Sequence, residues 1–162
     1  MSKILSKEAL NVELDRLRRE GKRISFTNGC FDILHVGHVT YLKEAKKTGD
    51  VLILALNSDS SVRAIKGEKR PLVPEEQRAE VVAALECVDY VTIFPEDTPR
   101  ELIRYLRPQV LVKGGDWSED QLAGGSDVKS WGGEVRLIPV VAGVSTTNIV
   151  EKIKEIYGLT GS

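Results

Sequence analysis

The sequence lacks any apolar run long enough to cross a bilayer, since its longest, Val51 to Leu56, is far too short. It lacks a charge excess as well. Lys and Arg number 23 against 24 Asp and Glu, for a formal net charge of -1, so nothing favours neutralisation of a nucleic-acid backbone. The first residues, MSKILSKEAL, carry charges where a signal peptide needs an apolar core, which reads as a cytoplasmic protein with no membrane partner. Cysteine is scarce. Cys30 and Cys87 stand in unrelated settings, whereas a disulfide framework needs more of them and a zinc site a tighter cluster. They read as free thiols, Cys87 in the core. No repeat, low-complexity stretch or long linker divides the 162 residues, 41% of them hydrophobic. That composition describes one globular domain, 1–162, able to bury a core.

Within it, Leu10, Leu14 and Leu17 repeat at helical spacing and predict an amphipathic helix over 6–20, ended by Gly21. Ile24 to Thr27 reads as a short buried strand. A helix follows from about Val36 to Lys47, with Val39, Leu42 and Ala45 inward. The continuous run VLILAL at 51–56 suits a central strand covered on both faces. Pro74 starts another helix, with Glu75 and Glu76 in its first turn and an apolar face through Val81, Val82 and Leu85. Strands at Tyr90–Phe94, Val110–Lys113 and Glu134–Ile138 follow, with a short helix at Pro99–Leu106 and a closing helix over 146–157. Strands alternating with helices imply an α/β fold, a doubly wound parallel sheet with helices on both faces. Ligands of such folds sit at the carboxyl ends of the strands.

The stretch GCFDILHVGH (29–38) lies directly after the first of these strands and runs into a helix. A phosphate group is met there by free backbone N–H groups and the positive end of the helix dipole. Gly29 permits a sharp turn, and Gly37 removes a side chain from between a ligand and His35 and His38, which share a face of the first helical turn. These are the only histidines in the chain. A zinc site would want a further ligand, and a hydrolytic triad would need Cys30 and Asp32 in an order that no pattern assembles. The phosphate clamp fits both the place and the residue types.

H-x-G-H behind a strand and a G-x-F-D turn resembles the signature of the HxGH nucleotidyltransferase superfamily, which includes cytidylyltransferases, pantetheine-phosphate adenylyltransferase and class I tRNA synthetase cores. The resemblance sharpens to the ADP-heptose-forming adenylyltransferases over four ordered segments: TNGCFDILHVGH (27–38), KGEKRPLVPEEQR (66–78), VKGGDW (112–117) and GVSTTNI (143–149). It implies a Rossmann-like fold. It also implies transfer of AMP from ATP, carried with Mg2+, to a sugar 1-phosphate, with no metal ligand from the protein. The glycerol-phosphate cytidylyltransferases carry an arginine shortly before the last motif. This chain has Val140, Val141 and Ala142 there, which suits the heptose branch.

The resemblance assigns His35, His38 and Lys66 to catalysis. Gly29, Cys30, Phe31, Gly37, Arg70, Arg78, Gly115, Asp116, Ser145, Thr146 and Thr147 fall to the nucleotide. Lys66, Lys69, Arg70 and Arg78 otherwise read as a solvated basic loop after the second strand, with Arg78 opposing a helix dipole unless it meets an anion. Asp116 can accept from ribose hydroxyls or hold a magnesium-bound water, and Trp117 either packs or stacks on a base. Ser145 to Thr147 can cap the last helix and meet phosphate at once. For the acceptor, Lys113 can point toward phosphate or sugar, or merely cap its strand. Asp32 can bind acceptor hydroxyls or orient the loop through backbone hydrogen bonds. Relatives are often fused to a sugar kinase, for which 162 residues leave no room, so this reads as the adenylyltransferase alone, supplying heptose for lipopolysaccharide or surface-layer glycans. Exposed apolar positions on the first helix and the habits of the family favour a homodimer. The competing expectations are another acceptor (glycerol 3-phosphate, phosphocholine or FMN) and a nucleotide-binding regulatory module without turnover.

Overall fold

A computed structural model describes residues 2–115, 118 and 121–159. The strands are β1 (Ile24–Gly29), β2 (Val51–Asn57), β3 (Tyr90–Phe94), β4 (Val110–Gly114) and β5 (Glu134–Ile138). The helices are α1 (Lys7–Arg19), α2 (Val36–Lys46), α3 (Asp59–Lys66), α4 (Glu75–Ala83), α5 (Arg100–Leu106), α6 (Gly125–Ser130) and α7 (Thr146–Ile156). All strand pairs are parallel, in the order β3-β2-β1-β4-β5. The order reverses between β1 and β4, so a crevice opens beyond their carboxyl ends.

Side-chain alternation along the strands divides the core into two halves. Phe26, Ile53, Ala55 and Leu111 face α1, α5 and α6, packing on Leu10, Leu14, Ile103 and Val128. Leu52, Leu54, Leu56 and Val112 face the other way, against Leu42 of α2 and Ala79 and Val82 of α4. β2, buried along its whole length, serves both halves, which explains why its sequence shows no alternation. Cys87 is half-buried beside the second cluster.

The apolar stripe of α1 (Leu10, Leu14, Leu17) is buried in the chain's own core, and Val12 is the large apolar side chain that this helix exposes. Two expectations are corrected. Val81 of α4 points outward, and Arg78, Ala79 and Val82 form the buried face instead. Residues 59–66, read as loop, form α3, whose first turn is capped by Ser58 Oγ accepting the Ser61 N–H at 3.2 Å. Val62 and Ile65 are three apart as a helix requires, but eight residues with two large apolar side chains give a period too short to read from the sequence. α6 was hidden in the same way. α7 forms where its period predicts, yet none of its residues is buried, and Ile153, Ile156 and Tyr157 lie exposed.

Candidate active site

The crevice at the switch point is a cleft of about 700 Å³. Its floor is the end of β1, Asn57 of β2, and Lys113 and Gly114 of β4. One wall is the β1–α2 turn and the start of α7; the opposite wall is made by Asp97–Pro99 before α5 and Gln121–Ala123 before α6.

The β1–α2 turn is built around glycine and ring contacts. A Cβ on Gly29 would lie 2.7 Å from the Phe31 ring, and one on Gly37 would lie 2.9 Å from the His35 ring. Phe31 is held at φ 45, a left-handed conformation that a bulky residue adopts only under constraint. Its ring sits 5.0 Å from that of His38, which stacks on His35 at 3.8 Å. His35 is the N-cap of α2. Its Nδ1 accepts the Gly37 N–H at 3.1 Å, and His38 Nδ1 accepts the His35 N–H at 3.3 Å. An Nδ1 that accepts must be unprotonated, so each neutral ring carries its proton on Nε2. Burial lowers the His35 pKa below its ordinary value. Burial, reinforced by His35, pushes His38 down to about 4. The cleft thus contains two neutral imidazoles with fixed tautomers, each offering one N–H.

Ser145, Thr146 and Thr147 line the same wall. Ser145 Oγ caps α7 by accepting the Asn148 N–H at 3.0 Å, and the Thr146 hydroxyl donates to Ile33 O at 3.3 Å, tying α7 to the β1–α2 turn. Below them the Tyr41 hydroxyl bonds Thr27 at 2.6 Å and donates to Val112 O at 3.1 Å; burial drives its pKa up to about 12, so it stays neutral. Val140, Val141 and Val144 add an apolar lining.

Lys66, Lys113 and Arg70 bring positive charge to the cleft. Lys66 is the last residue of α3, placed by the helix that the sequence hid. The Lys113 pKa is lowered by burial and by Lys66, against which only the Cys30 thiol counts in the other direction. The Cys30 thiol is itself pushed up, because burial outweighs the neighbouring Lys66, Arg78 and Lys113. It is therefore protonated at neutral pH, which suits a lining group and not a nucleophile.

Two expected ligands have other occupations. Arg78 is fully buried and does not line the cleft. Its guanidinium donates to Val73 O at 2.9 Å, Cys30 O at 2.6 Å and Asn57 O at 3.0 Å, and pairs with Asp59 at 2.8 Å. Four of its five N–H donors are thereby engaged, so the phosphate assignment of Arg78 is replaced by a structural one. Of the two readings of Asp32, the loop-orienting one is visible in its bonds, and Asp32 also lines the cleft. The buried carboxylate accepts the N–H groups of Leu72 and Val73 at 2.9 Å and pairs with Arg70 Nε at 2.8 Å. Arg70 reaches the cleft from this anchor. Gly115 takes φ 99 just past β4 but does not line the cleft; Asp116 and Trp117 lie outside the described residues. No group of three or more His, Cys, Asp or Glu gathers as metal ligands among the described residues. The sequence passed over Asn28, Tyr41, Asp97, Thr98 and Gln121. Position beyond the end of a strand was the only signal for the last three.

Residues 26–157 match the family model described as cytidylyltransferase-like. The chain belongs to the cytidylyltransferase-like family of nucleotidyltransferases. It is 55% identical over 96% of its length to the bifunctional protein HldE of Trichlorobacter lovleyi, covering 32% of that protein. It is 59% identical over 87% of its length to HldE of Geobacter sulfurreducens, covering 29% of that one. The chain thus spans about a third of the length of the curated relatives it matches. Among solved structures it resembles the lipopolysaccharide core biosynthesis protein of Thermoplasma volcanium. That match has a TM-score of 0.62 and 29% identity, over 75% of this chain and 98% of the other. Pantoate-beta-alanine ligase of Francisella tularensis shares the fold at a TM-score of 0.61 and 16% identity, over 98% of this chain and 78% of that one.

Removing the guanidinium would leave Asp59 and three carbonyls without their donor. Arg78→Met is expected to lower unfolding free energy by about 3–5 kcal/mol, the scale for breaking a buried ion pair. Urea denaturation of the two proteins measures it, and a loss below about 1 kcal/mol would contradict the structural role.

Proposed function

We propose that this chain is an adenylyltransferase that transfers AMP from ATP to D-glycero-D-manno-heptose 1-phosphate, forming ADP-heptose and pyrophosphate. The observation that carries the nucleotidyl-transfer half is the pair of neutral, tautomer-locked histidines at the N-terminus of α2. The acceptor half rests on the four-segment resemblance and on the likeness to a lipopolysaccharide core biosynthesis protein. The apolar Val140 and Val141 beside the last motif support the same branch.

The sugar phosphate is already an anionic nucleophile, so no protein base is required. Its oxygen attacks the α-phosphorus of ATP in line, and pyrophosphate leaves opposite. Acceleration then comes from positioning and charge stabilisation. His35 and His38 donate Nε2–H to phosphate oxygens as charge builds on them. Lys66 balances the leaving pyrophosphate, Arg70 is held toward it by Asp32, and Ser145 to Thr147 receive phosphate at the start of α7. Gly29, Cys30, Phe31 and Gly37 shape the turn that the triphosphate follows. Mg2+ enters as part of the nucleotide substrate, held by phosphates and water. No helix of the described residues is long and apolar enough to cross a membrane, and a cytoplasmic location belongs to this proposal. So does a homodimer, for which the exposed apolar residues at the end of α7 add a candidate surface to Val12 of α1.

Pyrophosphate release with ATP, Mg2+ and a panel of phosphorylated acceptors tests the function. Release is expected with heptose 1-phosphate, and release only with glycerol 3-phosphate, phosphocholine or FMN would overturn the acceptor. His38→Ala should lower kcat about a hundredfold or more, the scale for one preorganised donor. A rise in KM alone would contradict the transition-state role.

The pH profile of kcat/KM is a further check. With His38 at about 4 and His35 lowered as well, both donors are neutral at and above neutral pH and are lost only as pH falls through their depressed values. No decline near pH 6.5 is expected on raising the pH; such a decline would mean that imidazolium is the active form.

A further inference from the structure

The reaction needs two phosphate sites on opposite sides of the α-phosphorus, because the attacking and leaving oxygens lie in line. The cleft has two walls, and the histidines and the Ser145–Thr147 start of α7 occupy only one. The other wall has no role in the family motifs. It is formed by Asp97 and Thr98 from the β3–α5 connection and Gln121 from the β4–α6 connection. Among the described residues, none of these three side chains makes a hydrogen bond or ion pair, so three polar groups face the cleft with unused capacity.

Lys113 belongs with that wall. Along β4 the side chains alternate: Val110 and Val112 pack on the α2 side, and Leu111 packs on the α1, α5 and α6 side. Lys113 shares the parity of Leu111, which places it on the α5 and α6 side of β4, within electrostatic reach of Cys30 and Lys66. It is a half-buried ammonium with no hydrogen bond and no carboxylate partner among the described residues. A desolvated cation without a counter-charge is unfavourable until an anion arrives.

Resting on the function proposed above, we propose that this second wall is the acceptor site. In it, Lys113 binds the phosphate of a phosphorylated polyol, and Asp97, Thr98 and Gln121 bind the hydroxyls at its uncharged end. The distribution of charge orients the acceptor. A carboxylate at Asp97 repels a phosphate and accepts from vicinal hydroxyls, so the anionic end turns to Lys113 and the polyol end to the wall. The phosphate oxygen on Lys113 then faces the α-phosphorus from the side opposite the pyrophosphate that leaves toward His35 and His38. The P–O bond to pyrophosphate breaks as the new P–O bond to the acceptor forms, and no further reactant is required.

The test separates the two substrates. Steady-state kinetics with ATP, Mg2+ and each anomer of D-glycero-D-manno-heptose 1-phosphate give the acceptor KM, and calorimetry gives ATP affinity without acceptor. Lys113→Gln should raise the acceptor KM by about tenfold or more while ATP affinity stays within about twofold. Asp97→Asn and Gln121→Ala, at exposed positions where folding is not at stake, should raise it by about threefold or more, again with ATP affinity kept. If Lys113→Gln weakens ATP as much as acceptor, the lysine belongs to the nucleotide site and the assignment falls. If Asp97→Asn and Gln121→Ala both leave the acceptor KM unchanged, the wall is not a polyol site. Wild-type protein that turns over no phosphorylated sugar at all overturns the function itself, an outcome distinct from either.

Discussion

The site depends on a single buried guanidinium. Arg78 reaches from α4 to the end of β1, the end of β2, the start of α3 and the bend before α4, and it is the donor at all four. Each of those segments leads directly into a cleft-lining residue or closes behind one. Asp32 repeats the arrangement one layer nearer solvent, fixing Leu72 and Val73 and holding Arg70 at the rim. Positive charge in this protein therefore does two separate jobs. The arginine that faces inward fixes the geometry, and the lysines that lack a carboxylate leave the cleft with a potential only an anion can relieve.

At the histidines, structure and chemistry share the same bonds. A helix start leaves backbone N–H groups without partners, and here the imidazole Nδ1 atoms take two of them. Capping the helix thereby sets the proton on the other ring nitrogen, while burial keeps both rings uncharged. Gly37 and the strained Phe31 hold the rings together. A protonated pair would lose both caps and repel itself, so the neutral state is also the folded one.

What could be read from the sequence was what is local. β2 announces itself because a strand buried on both faces has no polar side to show, and the H-x-G-H turn because its residues are contiguous and follow a strand. Lys66 was found by motif while its helix was not, since the apolar period of α3 is only Val62 and Ile65 within eight residues. Arg78 was misassigned because the sequence shows a cation in a first helical turn, whereas its burial depends on β1, β2 and α3 arriving together. Asp32 had two readings until the loop at 70–73 closed over it. Asp97, Thr98 and Gln121 are marked by no pattern at all; only the order of strands places them across from the histidines.

α7 begins at the cleft and ends in solvent. Its first residues are tied to the β1–α2 turn through Thr146, while from Glu151 onward every described residue is exposed. An 11-residue helix without a packed face has little stability of its own. Its opening free energy therefore falls well below that of the sheet, and its amides exchange with solvent through fraying and not through global unfolding. On the function proposed above, a phosphate seated on Ser145 to Thr147 would supply part of the tertiary contact that the fold withholds. Ligand occupancy and helical order in the last eleven residues of regular structure would then become one equilibrium, with binding free energy divided between holding the nucleotide and finishing the fold.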